Sequence, residues 1–145
     1  MTIDLSYIEQ NRASTQRIRT LAERLSDQEL LIRVGEHWTV AIAMAHLAFW
    51  DRRVIQIIEI SKREGKLFAP QIDVSVNDLS LPLWAAIPPR EAVRLAIETS
   101  DALDKQLETL PAVLLEEIFT VNKRWVLRNL HRGEHLDEVD AALKR

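Results

Sequence analysis

Four histidines carry the most legible chemistry of this chain, and three of them are spaced to act together. His131 and His135 stand four residues apart, which on a helix puts both imidazoles on one face, about one turn from each other. An i, i+4 histidine pair grips a single metal ion without distorting the backbone. Leu127, Val139 and Ala142 share that face, so the pair is expected to point inward, where unsatisfied imidazole nitrogens are costly to bury. His46 interrupts the most apolar stretch of the chain, between Ala45 and Leu47. Three neutral imidazoles from two helices, with no fourth protein ligand evident, leave positions open for water or substrate, as in a catalytic rather than a closed structural metal site. His37 sits before the second helix, next to Trp38, and is left out of the set.

Each of these residues also has an ordinary structural role. A single buried histidine is usually a hydrogen-bonded core residue, and a partly exposed pair is favoured near a helix C-terminus. From the residues alone, the metal site and these roles both stand. A further motif overlaps the pair: His131-Arg132-Gly133-Glu134-His135 matches H-x-x-E-H, the inverzincin protease signature with Glu134 as general base. That architecture needs a further acidic ligand well downstream on another element, and too little chain follows His135 to supply one. Glu134 is therefore expected to be solvated or to support a ligand from behind.

The elements that must position these side chains follow from periodicity. Ile18, Leu21, Ala22 and Leu25 keep the i, i+3, i+4, i+7 spacing of a first helix over about 5–25. Ser26 and Glu29 form an S-x-x-E capping pattern for a short turn, closed by Gly35. A second helix over about 39–63 starts on Thr39 as N-cap and stops at Gly65. Residues 66–89, with Pro70, Pro82, Pro88 and Pro89, form a connection too long to be structureless, and Asn77 to Trp84 are expected to be helical. A third helix runs from Pro89 to Leu110 with Val93, Ala96, Ile97, Leu103 and Leu107 on one side, and Pro111 ends it. A last helix is expected from about Asn122, carrying Leu127, Leu130, Val139 and Ala142 inward. The expected fold is all-α: an antiparallel four-helix bundle with a long crossover between helices two and three, one domain over 1–145.

Composition narrows the function. The 145 residues are 47% hydrophobic and 28% charged with only three glycines, an ordinary globular and helix-favouring mixture. A formal net charge of -3 without a Lys/Arg block argues against a nucleic-acid partner. There is no cysteine, so any thiol chemistry needs a thiol from a cofactor or substrate. The start, Met1-Thr2-Ile3-Asp4, shows no leader, and the apolar stretch Trp38 to Trp50 is too short to span a bilayer. A cytoplasmic protein without a membrane partner is expected.

Two stretches carry a family resemblance. Trp38-Thr39-Val40 leading through Ala45-His46-Leu47-Ala48 to Trp50-Asp51, and Arg124-Trp125-Val126-Leu127-Arg128 followed by His131, His135, Leu136 and Val139, resemble the DinB-like metal-binding superfamily, which includes thiol-dependent maleylpyruvate isomerases. Asn77 in the crossover is a weaker point of likeness. The resemblance implies a metal held by His46, His131 and His135 at one end of a cleft, and a homodimer. It implies zinc, nickel, iron or manganese as the ion; three imidazoles suit zinc, nickel or iron better than oxygen-seeking cations. It also implies a metal-dependent enzyme, either a transferase or isomerase using a low-molecular-weight thiol or a small-molecule hydrolase. The alternative is a non-enzymatic, dimeric bundle that binds metal or a small ligand. Phe49, Trp50 and Arg53 follow His46 by one and two turns and are placed to line a pocket, although core packing is the stronger expectation for Phe49 and Trp50. Arg124 and Arg128, before His131, are placed to receive a carboxylate or to pair with nearby acids. Glu138 is placed to orient His135 or to face solvent. Spacing identifies no acid–base pair, so catalytic residues stay unassigned.

Overall fold

The computed structural model describes residues 3–144, so Met1 and Thr2 of the N-terminal reading lie outside the described residues. Among the described residues the regular elements are helices and one two-stranded hairpin. In chain order come α1 (Ser6–Arg24), β1 (Arg33–Val34), β2 (Trp38–Thr39), α2 (Val40–Glu64), α3 (Ser75–Ala85), α4 (Pro89–Glu108), α5 (Ala112–Val121) and α6 (Arg128–Leu143). The strands pair antiparallel, Val34 opposite Trp38, around Gly35, whose φ of +73° requires glycine. No helix among the described residues is long and apolar enough to cross a membrane.

Local chemistry sets the boundaries. Ser26 and Glu29 cap each other reciprocally, side chain to backbone N–H in both directions, and open a short 3-10 turn over Glu29–Leu31. Thr39 Oγ1 accepts from the Ile42 N–H and starts α2; Gly65, at φ +70°, ends it. Pro89 occupies the first turn of α4. Val74 precedes α3, which forms over the stretch expected to be helical.

The four long helices pack α2 on α4, α1 on α4, α1 on α6 and α2 on α6. Their buried side chains divide into two apolar clusters. One gathers Ile18 and Leu21 of α1, the first turns of α2, Trp84, Ala92 to Ala96 of α4, and Leu136 and Val139. The other gathers Tyr7, Val54 to Ile58 of α2, Leu103 and Leu107 of α4, Leu115, Ile118, Trp125 and Val126. Between them, each long helix contributes buried polar groups: Asn11, Ser14 and Thr15 from α1, Asp51 from α2, Ser100 and Asp104 from α4, Arg128 and Arg132 from α6. Arg132 is fully buried and donates to Asp51 Oδ2 at 3.0 Å and to Asp104 Oδ1 at 2.8 Å, and further to Ser14, Thr15 and the Asn11 carbonyl. A buried guanidinium is tolerated only with that degree of pairing.

One expectation is corrected. The last helix does not start at Asn122. Residues 112–121 form α5 with Pro111 as its N-cap, Asn122 is extended at φ -157°, and its side chain caps a 3-10 turn over Lys123–Trp125. α6 begins only at Arg128, and its buried face runs Arg128, Arg132, Leu136, Val139. Leu130, expected inward, is exposed on the other side.

Candidate metal centre

His46 comes from the buried first half of α2, His131 and His135 from successive turns of α6. The packing of α2 on α6 closes the gap that separates them in sequence. One nitrogen from each of the three lies within 4.8 Å of the others, and His46 Nε2 is 3.1 Å from His131 Nε2. That spacing is compact enough for a single ion to be shared by the three nitrogens. His46 is buried; His131 and His135 are half-buried.

Burial keeps the three imidazoles neutral, the state a metal requires. His46 is pushed down to about 3, first by burial and then by His135 and Arg128. His131 is driven lower still by burial and Arg128, and burial also lowers His135 against the opposing pull of Glu138 and Glu134. The Nδ1 atoms of His46 and His135 are buried without a hydrogen-bond partner. His135 Nδ1 lies 3.4 Å from Glu138 Oε1 without hydrogen-bond geometry, so the expected orienting contact is only approached. Such orphaned nitrogens on apolar walls are a cost that needs a reason, and the donor set fits a transition-metal ion.

Aromatic rings fix the imidazoles. Trp38, delivered by β2, lies 4.6 Å from His46 and 5.4 Å from His135 between ring centroids. Trp84 of α3 meets His46 edge-on at 5.3 Å, and Phe49 packs on Trp84. His37 is exposed beside Glu36 and takes no part. Behind the site, Arg128 donates through Nε to Asp51 Oδ1 at 2.8 Å and places Nη2 3.1 Å from His131 Nδ1.

The histidines open onto a cleft of about 660 Å³, walled by α2, the 70–77 segment and the turn before α6. That volume suits a small organic ligand. Phe49, Trp50, Arg53, Arg124 and Arg128, placed near the site by sequence spacing, all line it. Arg124 pairs with Glu134 at 2.9 Å, which holds the carboxylate of the H-x-x-E-H motif in an exposed ion pair. Asn77 lines the cleft and accepts a 2.8 Å hydrogen bond from Trp50 Nε1, tying the crossover to α2. Sequence reasoning missed Asp51, Arg132 and Trp84. A carboxylate placed directly after the apolar run of α2 and two arginines four apart on α6 were the available signals for the first two; Trp84 carried none.

Helices that bring three histidines to the head of an aromatic cleft define a helical protein with a candidate metal centre. The chain matches the family model of the DinB superfamily over residues 10–137, and it belongs to that superfamily. Comparison with curated proteins and with solved structures returned no match.

Proposed function

We propose that the protein holds one divalent transition metal through His46, His131 and His135 and acts as a metal-dependent enzyme on a small molecule. The observation that carries this reading is the convergence of three neutral, ring-packed imidazoles within 4.8 Å at the head of a cleft. Membership of the DinB superfamily supports it. A bound ion supplies Lewis acidity, which polarises a substrate oxygen or makes a thiol acidic. Zinc, nickel or iron suits three imidazoles best, with manganese as a further choice.

The chain's own residues then have distinct tasks. Trp38 and Trp84 restrict the imidazole orientations, and Phe49, Trp50 and Trp125 exclude water from the cleft wall. Since the chain has no cysteine, a thiol-dependent transfer or isomerisation draws its nucleophile from a low-molecular-weight thiol in the cleft. Small-molecule hydrolysis is the other reaction class. The framework we assign is the antiparallel four-helix bundle α1, α2, α4, α6, with residues 66–88 as its crossover.

Elemental analysis of untagged protein, beside the variant H131A/H135A, tests the centre. Near-stoichiometric metal in the wild type that disappears from the variant supports it. A wild type that carries no metal and takes up no zinc, nickel, iron or manganese refutes it. A second reading, a non-enzymatic dimer, is favoured by the exposed Ile72, Val74, Leu79 and Leu83 on the crossover and α3. Sedimentation of the wild type against Leu79→Lys/Leu83→Lys tests the association.

A further inference from the structure

The cleft is charged against the trend of the chain. The protein carries a formal net charge of -3, yet among the described residues the lining holds Arg52, Arg53, Arg124 and Arg128 against one carboxylate, Asp73. Three of the four arginines already have acidic partners: Arg128 has Asp51, Arg124 has Glu134, and Arg52 approaches Glu59 at 3.9 Å. Asp73 is engaged by the backbone N–H and hydroxyl of Ser75.

Arg53 is different. Among the described residues its guanidinium meets no carboxylate; it donates to the neutral side-chain oxygen of Gln56 and lies over the Phe68 ring, 5.7 Å from the centroid. It is half-buried. A partly desolvated guanidinium without a counter-ion keeps its remaining donors for a carboxylate, sulfonate or phosphate.

Its position relative to the histidines is set by the helix. His46, Phe49, Trp50 and Arg53 follow one another at i, i+3, i+4 and i+7 along one face of α2, so Arg53 stands about 10 Å along the axis from His46. Phe49 and Trp50, packed edge to face at 5.2 Å, cover the interval with apolar ring surface.

We propose that the cleft takes a small organic acid: an apolar body packed against Phe49 and Trp50, with its anionic group on Arg53. The acid end lies two helical turns from the histidines, so the body spans about 10 Å to bring a reacting atom to them. The proposal deepens the small-molecule reading of this cleft, on which it rests, and does not need the ion for the acid contact.

Chelator-stripped protein is titrated with anilinonaphthalene sulfonate and with phenylnaphthylamine, the same ring system without the sulfonate, and binding is read by fluorescence. The expected result is one sulfonate probe per chain, bound at least about tenfold tighter than the amine, as a charge-assisted contact implies. Arg53→Gln is expected to bring the sulfonate down to the level of the amine while leaving the amine unchanged and near-ultraviolet circular dichroism as in the wild type. Arg52→Gln is expected to bind both probes as the wild type does. Equal affinity for the two probes in the wild type overturns the proposal, and so does an Arg53→Gln protein that keeps full affinity for the sulfonate. The two readings fail separately. Arg53-dependent selectivity in a protein that takes up no metal sinks the metal centre alone, whereas metal uptake without selectivity sinks the acid site alone.

Discussion

Arg128 joins the buried carboxylate of Asp51 to the imidazole of His131, with Nε 2.8 Å from Asp51 Oδ1 and Nη2 3.1 Å from His131 Nδ1. Arginine only donates, so His131 Nδ1 is the acceptor and the ring proton of the neutral imidazole sits on Nε2, facing His46 Nε2. Were His131 to ligate an ion through Nε2, its ring proton would have to sit on Nδ1, opposite the guanidinium. The contact from Arg128 to His131 would therefore compete with an ion there. Arg128→Met is expected to tighten zinc binding by at least about tenfold, since it removes a buried cation beside a ligand, and to lower the stability of the metal-free protein by about 3 kcal/mol. Chelator competition measures the first and urea denaturation the second. Weaker zinc binding would instead make Arg128 a support for His131.

Protonation of the site opposes folding. An unfolded histidine titrates near 6.5, whereas His46 is held at about 3 and His131 and His135 are also lowered, chiefly by burial. The unfolded chain thus binds protons that the folded chain refuses. Stability is complete above about pH 6.5 and is lost as pH falls toward 3. With three protons involved, the slope reaches at most about 4 kcal/mol per pH unit. Denaturation of metal-free protein across this range is expected to show that fall, and His46→Phe/His135→Phe to flatten it.

Asp51 is the carboxylate on which two buried arginines depend. Asp51→Asn leaves Arg128 without an anion and Arg132 with Asp104 alone, and is expected to cost about 3–5 kcal/mol. Arg94→Gln, which breaks only exposed pairs with Glu91 and Glu98, is expected to leave the denaturation midpoint unchanged. Equal effects of the two would mean that the polar layer is solvated.

The hydrogen bond from Trp50 to Asn77 fastens the crossover over the cleft. Asn77→Ala is expected to cost about 1 kcal/mol and to quicken amide exchange through α3 while α2 keeps its protection. Hydrogen-exchange mass spectrometry resolves the two helices. Unchanged exchange in α3 would assign its ordering to Trp84 instead.

Helix positions were readable wherever a local signal marked both ends. Thr39 and Gly65 bracket α2, Pro89 and Pro111 bracket α4, and the Ser26–Glu29 pair announces its turn. The segment 112–127 lacked such marks: α5 buries only Leu115 and Ile118 while exposing Val113 and Val121. Its amphipathic pattern is weak, and the break at Asn122 depends on a side-chain cap that spacing does not reveal.

By itself the sequence determined the three histidines and the phase that puts His131 and His135 on one face, because helical periodicity is a local property of the chain. It also determined that any thiol must come from outside. Tertiary structure alone decided that His46 meets that face, that α6 buries Arg128 and Arg132 while exposing Leu130, and that Arg53 meets no carboxylate among the described residues. Each of these rests on side chains brought together from distant segments. Burial then sets their energy: the same arginine is a solvated surface charge or the centre of a polar layer according to what packs against it, and no spacing within one helix encodes the neighbour.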